Sequence, residues 1–210
     1  MNAVLIFSAC LSMAFARSTG PPTDACTDMI PQHGGLTVSG EPPYAVNIGS
    51  MKYATGSPVQ VTVATTNGTS FRGFFVQARV NDTDFVTNPA LGMFSNYPEQ
   101  TGGVECTTDN ANSAWGHTNN NDKTSVMATW TYDGPCEDVG DLAFRVTVVQ
   151  GDPRTRYYTD IVSNNLMFDA EMCDTSAAST TTEQPNGAAN YVISSIFTII
   201  SSIMVAVLAY

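Results

Sequence analysis

The chain has 210 residues, of which 13% are charged, and acidic residues outnumber basic ones 19 to 8, for a formal net charge of -11. No cluster of Lys or Arg occurs. This argues against nucleic acid, other phosphates or heparin as a main partner, because those need concentrated positive charge. Low charge with many Thr, Asn, Gly and Val is the composition of an extracellular β protein.

In chain order, residues 3–11 (AVLIFSACL) form a short apolar core, followed by Ala14-Phe15-Ala16, an A-x-A cleavage pattern. Residues 1–16 are therefore expected to be a signal peptide. Five cysteines occur, and Cys10 would leave with that peptide. Cys26, Cys106, Cys136 and Cys173 remain, an even set in an oxidising compartment. They predict two disulfides, with three connectivities open at this point. A zinc site needs closely paired Cys and His ligands. No C-x-x-C is present, so no metal is expected. Asn67-Gly68-Thr69 and Asn81-Asp82-Thr83 are glycosylation sequons.

From residue 59 to 150 the apolar spacing has period two rather than a helical period. Val59, Val61 and Val63 share one strand face, and Asn67-Gly68 supplies a turn expected to be a hairpin tip. Phe74, Val76, Ala78 and Val80 share a face of the next strand, with Phe75, Gln77 and Arg79 on the other. Val126, Ala128, Trp130 and Tyr132 alternate similarly, as do Leu142, Phe144, Val146 and Val148. Between them, residues 81–122 are dense in Asn, Gly, Pro and Asp, which predicts short strands and irregular loops tied down by Cys106. Such strands bury one face each, which two packed antiparallel sheets provide. The fold class is all-β, a sandwich.

Residues 174–190 begin with a Ser/Thr-rich stalk, DTSAASTTTEQ. Residues 191–210, YVISSIFTIISSIMVAVLAY, are an uncharged apolar run with no Lys or Arg after it. A polar spacer and small residues precede it, the layout of a glycosylphosphatidylinositol attachment signal. Ser176 and Asn186 are the two attachment candidates. Ser176 is favoured by spacer length, whereas Asn186 would keep the stalk. The competing expectation is a retained membrane helix, since about 20 apolar residues can span a bilayer. Either places residues 17–173 on the outer face of the plasma membrane, or in the medium if shed.

Candidate sites are sparse. His117 reads as a loop histidine bonded to backbone, and His33 lies in a turn-like context. Two histidines make no triad, and no G-x-S-x-G elbow occurs. No catalytic residue, metal or cofactor is expected. Asp82 with Asp84, and Glu137 with Asp138 and Asp141, read as solvated acidic loops rather than calcium ligands. Arg72, Arg79 and Arg145 are expected to stack on aromatic neighbours and pair with carboxylates. Tyr97, Trp115, Tyr157 and Tyr158 could stack on sugars or close the ends of the core. The loops of 81–122 are the expected recognition surface, because binding tends to reside on loops held by a rigid scaffold.

Several segments resemble a known family. Gly20-Pro21, Ala25-Cys26, Met29, Pro31, His33 and Pro43-Tyr44 look like the opening of a reeler, or reelin N-terminal, domain. Phe71 to Arg79 resembles that family's strand F-x-G-F-x-x-Q-A-R. Cys106 with Trp115-Gly116-His117-Thr118-Asn119, then Val126 to Trp130, Gly140 and Phe144 to Gln150, resemble its later segments. The resemblance implies an immunoglobulin-like sandwich, with Cys26 bonded to Cys106 and Cys136 to Cys173. It further implies non-enzymatic recognition of microbial or glycan surfaces in innate defence. The alternatives are a cell-surface adhesion or matrix-contact module with a glycan or protein ligand, and an accessory of a ferric-reductase-type system.

The anchor has a direct check. Phosphatidylinositol-specific phospholipase C on intact cells is expected to release the ectodomain. Protein that stays cell-bound and still reacts with an antibody to residues 203–210 would instead be a retained helix.

Overall fold

Strands with one apolar face each must find a second apolar layer, and this chain finds it by stacking two sheets. The computed structural model describes residues 19–31, 35–151 and 156–173. The expected signal peptide, His33, the stalk, the apolar tail and both attachment candidates lie outside them. The first sheet contains β1 (Leu36–Thr37), β5 (Phe71–Val80), β7 (Thr101–Val104), β8 (Ala114–His117), β10 (Leu142–Gln150) and β11 (Arg156–Val162), in the order β1-β11-β10-β5-β8-β7. The second contains β2 (Tyr44–Ile48), β4 (Pro58–Thr65), β6 (Met93–Ser95) and β9 (Ser125–Thr131), in the order β2-β4-β9-β6. A small third pair joins β3 (Lys52–Tyr53) to β12 (Met167–Phe168). Pairing is antiparallel except at β1/β11 and β3/β12.

The alternation read from sequence is the alternation of burial. Val59, Val61, Val63, Val126, Ala128 and Trp130 point inward from the second sheet; Phe74, Val76, Phe144, Val146 and Val148 meet them from the first. Aromatic edges fill the space between: Trp130 meets Phe144 at 5.4 Å and 89°, and Phe74 meets Trp115 at 4.8 Å and 73°. The Trp130 indole N–H donates to Leu91 O at 2.9 Å. The next residue, Gly92, has φ +70, and a Cβ there would sit 2.5 Å from that indole nitrogen, so only glycine fits. Trp115 Nε1 is buried without a hydrogen-bond partner among the described residues, and nothing in the structure explains it.

One expectation is corrected. Asn67-Gly68 is not a hairpin tip: β4 pairs with β2 and β9, whereas β5 pairs with β10 and β8. The turn carries the chain from one sheet to the other. The apolar faces of β4 and β5 therefore oppose each other across the core instead of lying side by side.

The two sheets differ on their outer faces. On the second sheet the outward positions are exposed or half-buried: Asn47, Pro58, Gln60, Met93, Ser125 and Met127 are exposed, and Ala45, Thr62, Ala64, Ser95, Thr129 and Thr131 are half-buried. On the first sheet, β5 and β10 are buried on both faces. The N-terminal segment lies over them, with Ala25 and Met29 packed on Phe75 and Ala114. Pro21 crosses where a Cβ of Gly116 would stand, 2.5 Å from Pro21 Cγ.

Arg79, 1% exposed, holds this cover in place. Its Nη2 donates to Cys26 O at 2.7 Å, Thr27 O at 3.0 Å and Gln77 Oε1 at 2.6 Å; Nε also donates to Gln77 Oε1 at 2.9 Å. Its Nη1 donates to Phe85 O at 3.4 Å and to Val86 O. Gln77 Nε2 in turn donates to Cys26 O at 3.0 Å. Arg72 and Arg145 pair with carboxylates as expected, Asp122 and Asp160 respectively. Arg79 does not, because its donors are met by backbone carbonyls and the Gln77 carboxamide rather than by a carboxylate.

Both expected disulfides are present, Cys26–Cys106 and Cys136–Cys173, with Cα atoms 5.3 and 6.2 Å apart. They close loops with sequence separations of 80 and 37, and such closures contribute about 2–5 kcal/mol each.

Replacing Arg79 by Met would strand several buried carbonyls. It is expected to destabilise the domain by about 3 kcal/mol or more, read from urea unfolding. Alkali supplies a second check. Burial raises the Tyr44 and Tyr53 phenols from 10.0 to about 12, where their hydroxyls donate to Ser70 O and Gly140 O. The unfolded chain ionises first, so this contribution is complete below pH 10 and is lost as pH rises towards about 12. Tyrosinate absorbance should then rise together with loss of the folded circular dichroism signal. Ionisation of all tyrosines near pH 10 without unfolding would refute it.

Candidate functional site

Strand register defines two ends of the sandwich. At one, Pro58 faces Thr131 and the chain continues through Tyr132 to Cys136, which is bonded to Cys173. At the other, Ala64 faces Ser125, and Phe71 bridges Lys123. This second end carries an open cleft of about 310 Å³, lined by Arg72, Asn120, Asn121 and Asp122. The last described residue, Cys173, thus sits at the end opposite to the cleft.

The cleft is built around a captured cation. Lys123 is 8% exposed. Its Nζ donates to Asn121 O at 2.8 Å, Asn119 O and Oδ1 at 3.2 Å, and Arg72 O at 3.3 Å. The loop therefore wraps an ammonium with carbonyl oxygens much as it would wrap a metal ion. Burial lowers the Lys123 pKa, and Asp122 opposes that shift. On the cleft surface Arg72 Nε donates to Asp122 Oδ1 at 2.8 Å and Nη2 to Oδ2 at 3.4 Å. The Arg72 bond holds the Asp122 carboxyl below the usual range. Ser70 Oγ adds a bond to Asp122 Oδ1 at 3.3 Å. Asn121 Nδ2 donates to Gln100 Oε1 at 3.3 Å. Gln100 itself has φ +71, an uncommon conformation for a non-glycine residue. A guanidinium, a carboxylate and carboxamides on one wall can donate to and accept from a polar ligand group.

The other residues singled out from sequence lie elsewhere. His117 ends β8, with Nδ1 3.2 Å from both the N and O of Phe74, the backbone attachment expected of it. Trp115 is 0% exposed in the core, so it offers no sugar platform. Tyr157 is buried as well. Tyr97 donates to Asn112 Oδ1 at 2.7 Å, and Tyr158 packs edge-on to Tyr44. Asp82 and Asp138 cap turns by accepting from Asp84 N and Gly140 N. Among the described residues no group of three or more His, Cys, Asp or Glu is placed to hold a metal ion. Of the sequons, Asn67 is exposed beside the cleft end, its Oδ1 accepting from Thr69 N. Asn81 lies at the other end with Nδ2 donating to Asn165 Oδ1 at 2.7 Å, a bond that a glycan there would have to replace.

The loops of 81–122 are the expected recognition surface, and their far edge lines the cleft. Residues 120–122 line the cleft, while β6, β7 and β8 take up part of the remainder. Arg72 was missed as a site residue because its partner is 50 residues away. The Asn-rich run before Lys123 was the available signal.

The chain is 33% identical over 139 residues to the "Putative defense protein" of Bombyx mori, covering 64% of this chain and 77% of that protein. It is 27% identical over 150 residues to the "Putative ferric-chelate reductase 1" of Danio rerio, covering 71% of this chain but only 25% of the fish protein's length. Among solved structures, the human F-spondin reeler domain aligns with a TM-score of 0.49 at 17% identity, covering 65% of this chain and 95% of that one. Residues 24–174 match the model of the Reeler domain. The chain belongs to the Reeler domain family.

Proposed function

We propose that this protein is a non-enzymatic recognition module of the cell exterior that binds microbial or glycan surfaces in innate defence. The observation that carries this reading is one of coverage. The match spans 77% of the silkworm "Putative defense protein", whereas it reaches only a quarter of the reductase. What the reductase does as a whole is therefore a weak guide to this chain. Two disulfides and two sequons support an exterior location. Among the described residues no helix is long and apolar enough to cross a membrane. Attachment through a lipid at Ser176 or Asn186 remains part of the proposal.

On this reading the cleft at Arg72 and residues 120–122 engages charged or polar groups of the target surface. The test is co-sedimentation of purified ectodomain with bacterial and fungal envelopes, beside immobilised matrix proteins. Wild type should bind envelopes. Arg72→Ala should weaken that binding about tenfold, the scale of a lost charged hydrogen bond. Binding to matrix proteins with none to envelopes would replace defence by adhesion. Full envelope binding by Arg72→Ala would move the site away from the cleft.

A further inference from the structure

The four-stranded sheet turns to solvent a face without a single charged side chain. Every outward position of β2, β4, β6 and β9 is Ala, Asn, Pro, Gln, Thr, Ser or Met. On a chain with net charge -11 this is a distinct patch. It is also open: Met127 is 49% and Met93 39% exposed, and Gln60 and Asn47 are exposed beside them. Register lines the side chains into cross-strand rows. Asn47, Thr62 and Met127 form one row, and Gln60, Thr129 and Ser95 the next. Rows repeat about every 6.6 Å along the strands, with neighbours about 4.8 Å apart across them.

We infer that this face is a docking surface for an uncharged, hydroxyl-rich polysaccharide. The inference rests on the reading of the protein as a surface-recognition module, but it uses a different surface from the cleft. Hydroxyls and carboxamides both donate and accept, matching sugar hydroxyls, which do the same. Threonine is stiff at χ1, so ordering Thr62, Thr129 and Thr131 on binding costs little entropy. The two methionines are adaptable and polarizable, suited to the C–H faces of sugar rings.

Charge decides among occupants. A polyanion is repelled by the field of a chain at -11, and this face has no cation to offset it. A basic protein is drawn to the acidic loops instead. A second copy of the chain would meet too little surface. The face offers twelve outward residues, about half of the roughly 20–30 residues a side of a stable protein interface. A repeating polymer escapes that limit, because many weak contacts along it add through avidity.

The experiment measures binding of purified ectodomain to chitin and β-1,3-glucan particles, with hyaluronate-coated beads for comparison. Gln60→Glu and Met127→Glu each place a carboxylate on the face, the first almost isosterically. Val162→Glu adds the same charge on the exposed side of β11 in the other sheet. Thermal melts and sedimentation velocity accompany each variant. Wild type should bind at least one neutral particle, insensitively to added salt, and bind hyaluronate weakly or not at all. Each face variant should lose about tenfold in affinity, because a charge pressed against a neutral polymer loses its water. Val162→Glu should bind as wild type does. Equal binding by all variants would overturn the proposal. So would wild type that binds no neutral particle, or self-association that the face variants abolish. Bacterial envelopes, which carry neither polymer, keep the two readings apart: wild type that binds them but no neutral particle leaves the recognition reading standing and overturns this one alone.

Discussion

A buried guanidinium without a carboxylate organises the outer layer of this domain. Among the described residues, Arg79 has no acidic group within ion-pair distance. Its donors are instead met by carbonyl oxygens from the N-terminal segment and from the loop after β5, and by Gln77. Taking a cation out of water is costly, and the carbonyl dipoles replace the lost hydration. Burial, with Arg145 nearby, lowers its pKa to about 10, which leaves it charged at neutral pH. Arg145 is itself tied to Asp160 at 2.7 Å. The carbonyl of Val86 accepts from both arginines, so the same loop is held twice.

The clamp is covalent as well as polar. Cys26 is bonded to Cys106, and its carbonyl receives both Arg79 and Gln77. The disulfide restricts the unfolded chain, whereas the hydrogen bonds specify where the N-terminal segment lies once folded. Thr147 Oγ1 completes the attachment by donating to Met29 O at 2.8 Å. β5 and β10 of the first sheet are thereby occupied on both faces, whereas β11 keeps an exposed side. The second sheet keeps a free outer face. That asymmetry leaves an uncharged outer face on one side of the domain.

The cleft follows similar logic on a smaller scale. Lys123 fills the loop of residues 119–122 with its own ammonium, so the loop has a defined shape without a bound ion. Arg72 and Asp122 then stand on a fixed base. Loop side chains supported in this way lose less entropy on meeting a ligand than free ones would.

By itself the sequence determined four long strands and their inward faces, while the cysteine pairing came from the family resemblance. The valines 59, 61 and 63 and the run Leu142, Phe144, Val146, Val148 declare their faces, because side chains alternate strictly along a strand. It also placed Gln77 and Arg79 on the face opposite Phe74, but could not say what covers that face. Only the tertiary structure decided that β4 and β5 belong to different sheets, since the same turn chemistry at Asn67-Gly68 serves a hairpin or a crossing between layers. Only it brought Arg72 to Asp122, Lys123 to Arg72 O and Arg79 to Cys26 O, contacts spanning about fifty residues. Local spacing carries the period of a strand. It does not carry which distant carbonyl a guanidinium will meet, because that depends on how two sheets and their connections close over one core.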